Sequence, residues 1–177
     1  MYASNFQTKK GNCQIVWTEQ GLRAILLPNT SQNHIRYRIC SEEPEWVGEL
    51  KRCIISYFDG DAQALNHTSK INLDYGDITL FRRNVYESLR KTKPGERISY
   101  AHLAAQAGAP GAARAVGGAM AKNPFPLLIP CHRVIKSDGS SGGYSALSGT
   151  KSKEELLKME LNPHPERRYK SLSKGKK

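Results

Sequence analysis

The spacing of apolar positions changes along the chain, and each change predicts a different element. Cys13-Gln14-Ile15-Val16-Trp17-Thr18 and Leu22-Arg23-Ala24-Ile25-Leu26-Leu27 are short runs rich in aliphatic and aromatic residues. They flank Glu19-Gln20-Gly21, a turn whose glycine can take positive φ, and so predict a strand pair. Pro28-Asn29 ends the second strand, and the alternating His34-Ile35-Arg36-Tyr37-Arg38-Ile39 predicts a third. The spacing then lengthens. Trp46, Leu50, Ile54 and Phe58 fall four apart, with Val47 and Tyr57 widening the stripe, which predicts a core-facing helix. Ser41 or the acids near it can cap that helix, Pro44 suits its first turn, and Asp59-Gly60-Asp61 stops it.

Residues 61–78 are polar and irregular and read as a connection. Phe81, Val85 and Leu89 predict a second amphipathic helix running to about Arg90, followed by a turn at Lys93-Pro94-Gly95-Glu96. Ser99 is a fair N-cap and Gly108 a fair stop for a short helix between them. Ala109-Pro110-Gly111 separates it from a second short helix over Ala112–Met120, the pattern of a helix-turn-helix. The second helix is almost all Ala and Gly, with Arg114 its only long cation. Gly117 and Gly118 cost a helix about 1 kcal/mol each relative to alanine. Two things could offset that cost: tight packing inside the protein, or close approach of the backbone to another surface. From the helix alone both remain open.

Asn123-Pro124-Phe125-Pro126-Leu127-Leu128-Ile129-Pro130 is an apolar run that delivers Cys131, His132 and Arg133. A thiol beside an imidazole and a guanidinium can be held partly as the nucleophilic thiolate. Residues 137–145 form a glycine- and hydroxyl-rich loop. Ser152-Lys153-Glu154-Glu155 has the capping-box pattern, and Leu156, Leu157 and Leu161 continue the helix it opens. Glu160 lies near that helix's end, where the dipole disfavours an acid, so it is expected to have a specific partner. Prolines break the pattern after Asn162, and a basic tail follows, expected to be disordered.

Charge sharpens this division. Residues 1–79 carry 8 Lys and Arg against 9 Asp and Glu, whereas residues 80–177 carry 19 against 7. A near-neutral first half joined to a basic second half points to a polyanionic partner for the second. No apolar run approaches the ~20 residues of a membrane helix, and Met1 to Gly11 lacks the apolar centre of a signal peptide. The expected location is the cytoplasm, at the nucleoid. The four cysteines are far apart and, in a reducing compartment, expected as free thiols. Cys13, His34, Cys40 and His67 could converge on a metal, but buried small side chains and surface histidines are the favoured reading, and no metal is assigned.

Pro130-Cys131-His132-Arg133-Val134, preceded by Asn123-Pro124 and by Ala112-Ala113-Arg114-Ala115-Val116-Gly117-Gly118-Ala119-Met120, closely resembles the O6-alkylguanine-DNA alkyltransferases, or methylated-DNA–protein-cysteine methyltransferases. The strong match runs from about Leu80 to Glu160. The resemblance implies an α/β (α+β) fold. A small three-stranded, ribonuclease H-like sheet with a helix would occupy residues 1–78. A mainly helical, winged helix-turn-helix-like domain would occupy 79–163, and the tail 164–177. It implies a monomer that needs no cofactor and binds duplex DNA in the minor groove. Such a protein flips out a guanine alkylated at O6, or a thymine alkylated at O4, and takes the alkyl group irreversibly.

In that scheme Cys131 is the acceptor. His132 draws off its proton through a water and Glu160 orients the histidine. Tyr100 assists rotation of the nucleotide and protonates the departing base. Arg114 fills the space left in the duplex, with Ala113, Asn123 and Arg133 also at the DNA side and Asn123 bracing the turn that leads to the cysteine. Val134, Tyr144 and Ser145 line the base pocket. After Ser145 this chain reads Ala146-Leu147-Ser148-Gly149, where many relatives carry adjacent glycines, so a short insertion is needed to bring Glu160 into register. Two other functions compete: a lesion binder that transfers nothing, and a cysteine hydrolase built on Cys131 and His132. Adjacent residues on a strand face opposite ways, which argues against a direct Cys–His pair.

Overall fold

The computed structural model describes residues 1–29, 36–40, 42–144, 146–147 and 149–161. Ser41, Ser145, most of the segment leading to Arg36 and the basic tail lie outside them. The first sheet has four strands in the order β3-β2-β1-β4. They are β1 (Tyr2–Thr8), β2 (Gly11–Thr18), β3 (Gly21–Leu26) and β4 (Arg38–Ile39). The predicted pair is β2 and β3, antiparallel, with Gly21 at φ 137° in the turn. A Cβ at Gly21 would stand 2.3 Å from the Asn72 carbonyl oxygen, so glycine is required there for space as well as conformation.

Two expectations for the sheet need correction. The polar opening of the chain is a strand, β1, in the middle of the sheet. Its buried positions are Ala3, Ser4 and Thr8, too small and polar to register as an apolar alternation. The predicted third strand is only two residues long among the described residues and runs parallel to β1.

Helix α1 (Glu45–Phe58) buries Val47, Leu50, Cys53, Ile54, Tyr57 and Phe58. Pro44 sits just before its first turn, and no side chain caps it. The connection over 61–78 contains a 3-10 helix at Ala64–Lys70, and Leu73 bridges Leu22 of β3. Helix α2 (Leu80–Arg90) is capped by Thr79 and buries Val85, Tyr86 and Leu89. Tyr86 donates to the Ala119 carbonyl at 2.8 Å and Arg82 to the Lys122 carbonyl at 2.8 Å. These side chains hold carbonyls at the C-terminal end of α4 (Ala113–Ala121), where the helix's own hydrogen bonding runs out.

Strand β5 (Ile98–Ser99) leads directly into α3 (Tyr100–Gln106), with the Ser99 hydroxyl accepting from the His102 N–H. It pairs in parallel with β6 (Val134–Ile135), Ile98 opposite Val134. This small pairing positions the site, because it sets Tyr100 beside the chain that has just passed Cys131. The last helix, α5 (Thr150–Leu161), begins two residues before Ser152, so Ser152 is not its cap; it is buried inside the first turn.

One continuous apolar cluster runs from Cys13 of β2 to Leu156 of α5 and includes α1, α2, α3 and α4. Ala3, Val16 and Ala24 form a small second cluster. Among the described residues no helix is long and apolar enough to cross a membrane.

Candidate active site

The turn that carries Cys131 is fixed before its chemistry begins. Asn123 uses both ends of its amide on it: Oδ1 accepts from the Phe125 N–H at 2.9 Å, and Nδ2 donates to the Ile129 carbonyl at 2.8 Å. The Ile129 N–H returns to the Phe125 carbonyl at 2.8 Å. Phe125, Leu127, Leu128 and Ile129 are buried, and the Phe125 ring meets Tyr75 and Tyr86 edge-on. Leu127 adopts φ 76°, a left-handed conformation uncommon for leucine, held by this packing. Cys131–Arg133 then forms one 3-10 turn, where a strand had been expected. Three residues per turn aim Cys131 and His132 in different directions. Among the described residues their side chains make no hydrogen bond to each other.

Cys131 is 7% exposed. Burial pushes its thiol above the ordinary value, while the Asn123 side chain and the Lys153 charge pull the other way. This corrects the expectation of a partial thiolate. Arg133, the cation expected to stabilise one, is spent elsewhere, and His132 is itself kept neutral: burial lowers its pKa more than Glu160 raises it. The resting pair is a thiol and a neutral imidazole.

Glu160 is the centre of the arrangement. Its Oε1 is 2.9 Å from His132 Nε2 and 2.8 Å from Arg133 Nη2, and accepts the Tyr57 hydroxyl at 2.9 Å. Its Oε2 accepts from Arg133 Nε and from the Gly95 N–H, each at 3.0 Å. Burial acting alone would raise the pKa of this carboxyl. The donors from His132 and Arg133 outweigh it and hold the group well below the usual carboxylate range. A carboxylate only accepts, so His132 must present Nε2–H to it. Nδ1 is then left with its lone pair. It is buried and has no partner among the described residues.

Arg133 was expected at the DNA side and is not there. It is 5% exposed, with its guanidinium committed to Glu160 and to the carbonyl and hydroxyl of Thr92. Asn123 likewise braces the turn with its whole amide, which leaves it no free group for DNA. Tyr100 half-faces solvent. Burial raises its phenol pKa, and Cys131 is close enough to add to the shift. Gly142 lies against it: a Cβ there would sit 3.1 Å from the Tyr100 hydroxyl. Val134 is fully buried, and Tyr144 is half-buried with a buried hydroxyl that has no partner among the described residues.

Helix α4 answers the question its glycines raised. A Cβ at Gly118 would meet nothing within 4 Å, and one at Gly117 only the edge of Tyr100 at 4.0 Å. Packing inside the protein therefore does not require these glycines. Arg114, Ala115, Gly118 and Ala121 form an exposed, nearly smooth stripe, and Arg114 has no hydrogen bond or ion pair among the described residues. Ala113 stands half-buried at its start.

Two residues of this site escaped the sequence reading. Lys153 is fully buried, and its ammonium donates to the carbonyls of Val134 and Ser141. The available signal was a cation in the first turn of a helix, where the dipole opposes it, the mirror of Glu160 at the other end. Tyr57 gave no such signal, because it fitted the apolar stripe of α1. Among the described residues no group of three or more His, Cys, Asp or Glu is placed to hold a metal ion.

The ionised Glu160 also contributes to stability. Its folded pKa lies below the unfolded value near 4.5, so its contribution is present above that pH and is lost as pH falls through the folded value. Glu160→Gln leaves the buried Arg133 unpaired and is expected to destabilise the protein by about 3–5 kcal/mol. Urea denaturation at pH 7 and pH 4 measures both the loss and its shrinkage in acid.

The model of the family described as "6-O-methylguanine DNA methyltransferase, DNA binding domain" matches residues 80–162. The methylated-DNA–protein-cysteine methyltransferase of Methanothermobacter thermautotrophicus is 37% identical over 146 residues, which cover 82% of this chain and 77% of that protein. The Homo sapiens protein of the same name is 57% identical over 76 residues, 43% of this chain and 36% of its own length. Among solved structures, Mycobacterium tuberculosis OGT in complex with DNA superposes with a TM-score of 0.73 at 30% identity, covering 90% of this chain and 92% of that one. Similarity of this extent, over both halves, agrees with the braced cysteine turn and the small-residue helix: the chain belongs to the methylated-DNA–protein-cysteine methyltransferase family.

Proposed function

We propose that this protein repairs DNA directly, by moving the alkyl group from O6 of guanine in a duplex to the Sγ of Cys131, once per molecule. The observation that carries the reading is the Glu160–His132 pair. It leaves His132 Nδ1 as an acceptor one residue from a buried thiol, with the smooth, arginine-bearing α4 on the same half of the chain.

The duplex is met by α3 and α4, read as a winged helix-turn-helix. Small side chains let α4 approach the minor groove closely, and the free Arg114 takes the place of the flipped base. Ala113 stands at the same edge. Unstacking costs a few kcal/mol, least for a weakened pair, which favours lesions. The flipped guanine enters beside Cys131, Tyr100, Val134 and Tyr144, with Ser145, next in sequence, as a further contact. Residues 1–78 form a supporting ribonuclease H-like domain, 79–163 the reacting domain and 164–177 a basic tail. The protein acts as a monomer, and an alkylated thymine O4 is a second substrate of the same chemistry.

The step balances. The thiol proton passes through a water to His132 Nδ1, and the S–C bond forms as the C–O6 bond breaks. Tyr100, whose raised pKa keeps it a phenol, protonates the departing base. The imidazolium and phenolate then neutralise each other through solvent. The net change is a thiol and an alkylguanine giving a thioether and guanine. A thioether does not release its alkyl group, so the reaction ends there. The wedge helix has no use in a cysteine hydrolase, and a pure lesion binder has no use for the Cys131–His132–Glu160 arrangement.

Incubation with duplex DNA labelled in the O6-methyl group is expected to transfer one label per protein to the peptide containing Cys131. Sustained turnover, or label elsewhere, overturns the proposal. Arg114→Ala is expected to slow repair of the duplex about tenfold or more, yet to leave reaction with free O6-benzylguanine base nearly unchanged. The reactive protonation state is thiol plus neutral imidazole. Single-turnover rates with the free base are therefore expected to be flat from about pH 6.5 to 9 and to fall below, where His132 gains a proton. A steady tenfold rise per pH unit across that window would instead mark a lone thiolate.

A further inference from the structure

Tyr57 comes from α1, more than seventy residues before the reacting cysteine, yet its hydroxyl ends at the catalytic carboxylate. The ring is fully buried. Its oxygen is 2.9 Å from Glu160 Oε1 and 3.4 Å from His132 Nε2. The other residues α1 buries near its end, Ile54 and Phe58, are apolar. If position 57 served only to fill the core, phenylalanine would do so without taking a hydroxyl out of water, which costs unless that hydroxyl is bonded.

We propose that Tyr57 is a positioning residue for alkyl transfer, its hydroxyl fixing Glu160 and His132 so that the imidazole keeps its proton on Nε2 and its lone pair on Nδ1. Glu160 can only accept, so the bond between it and Tyr57 must use the phenol's proton. Burial, reinforced by the Glu160 charge, keeps that proton in place by pushing the phenol well above its ordinary value of 10. The Tyr57 oxygen then turns lone pairs toward Nε2. His132 Nε2 thus faces two acceptors, Glu160 Oε1 and Tyr57 Oη, and neither has a proton to give it. Only the tautomer protonated at Nε2 fits. The same contact makes the first half of the chain part of the reacting site, because it ties α1 to α5 and to the Cys131 turn.

The groups that set the charge around His132 are Glu160 and Lys153 from α5, Arg133 from its own turn and Tyr57 from α1. Removing the hydroxyl in Tyr57→Phe takes one donor from Glu160. The carboxylate charge is then less shared, and His132 should bind a proton more readily.

The inference rests on the alkyl-transfer reading above. In Tyr57→Phe, single-turnover transfer to Cys131 is expected to slow about tenfold at pH 7.5, and the acid limb of its pH profile to move upward. Binding of lesion-bearing duplex, measured with Cys131→Ala alone and combined with Tyr57→Phe, is expected to agree within twofold. A packing defect would lower the melting temperature and the amplitude at every pH but would not move the limb. Rates within twofold of the parent together with an unmoved limb would overturn the proposal.

The histidine tautomer gives a test that needs no variant. In the unmodified protein, 15N NMR of His132 should show Nε2 protonated and Nδ1 bare, and a dominant Nδ1–H form overturns the proposal even if Tyr57→Phe does not fold. If the parent protein transfers no label from duplex DNA, the alkyl-transfer reading fails, while the 15N titration of His132 in the parent and in Tyr57→Phe still tests the role of Tyr57, which an unmoved titration overturns.

Discussion

A single buried carboxylate organises this molecule. Glu160 draws four donor residues from three places in the chain: His132 and Arg133 on the cysteine turn, Gly95 in the loop before β5, and Tyr57 on α1. A charge removed from water is tolerable only when its lone pairs are filled, and here they are. The cost of burying the acid is what makes the arrangement specific. If the turn shifts, or α5 rotates, the carboxylate loses a donor in a medium where nothing replaces it. The imidazole is oriented by the same bonds that hold the two halves of the chain together, so stability and reactivity cannot be separated at this point.

Helix α5 shows the same logic at both ends. It buries a cation, Lys153, in its first turn and an acid, Glu160, in its last. Both oppose the helix dipole, worth a few tenths to about 1 kcal/mol at each end. Each is outweighed by its bonds to the reacting segment. Lys153 holds the Val134 carbonyl, just past the cysteine turn, and adds positive charge near Cys131 without exposing it to solvent. In the proposed reaction, a thiol held protonated at rest beside a neutral imidazole and a fixed cation would gain nucleophilicity only as its proton leaves.

Much of this was legible in the sequence, and the failures have physical causes. Helices α1 and α2 followed from their apolar spacing and the turns that stop them, and α3 from its Ser99 cap and Gly108 stop. The cysteine turn and α4 stood out because their compositions make poor sense as ordinary core. Strand β1 was missed because its buried positions are small or hydroxylated. The start of α5 was misjudged because Ser152 and Glu155 imitate a capping box while the serine is buried. Arg133 was assigned to the wrong side because a basic residue in a basic half reads as surface, and nothing local reveals that an acid twenty-seven positions away claims it. Tyr57 was invisible for the converse reason: its ring obeys the helix period, and only the fold shows where the hydroxyl ends.

The bracing of the cysteine turn has a kinetic meaning. An ordinary enzyme must let product out, and its nucleophile has to sit where a second substrate can arrive. Here Asn123 clamps the turn across its ends, Leu127 is held in an unfavourable conformation, and apolar side chains fill the space behind Cys131. Such a site has little freedom to relax around an enlarged side chain. A protein consumed by its own reaction has no second cycle to protect, so rigidity that would throttle a recycling catalyst carries no penalty. On the proposed reading, an alkyl group added to Cys131 would be a misfit in this tightly braced turn, and the act of repair would leave its mark on the fold that performed it.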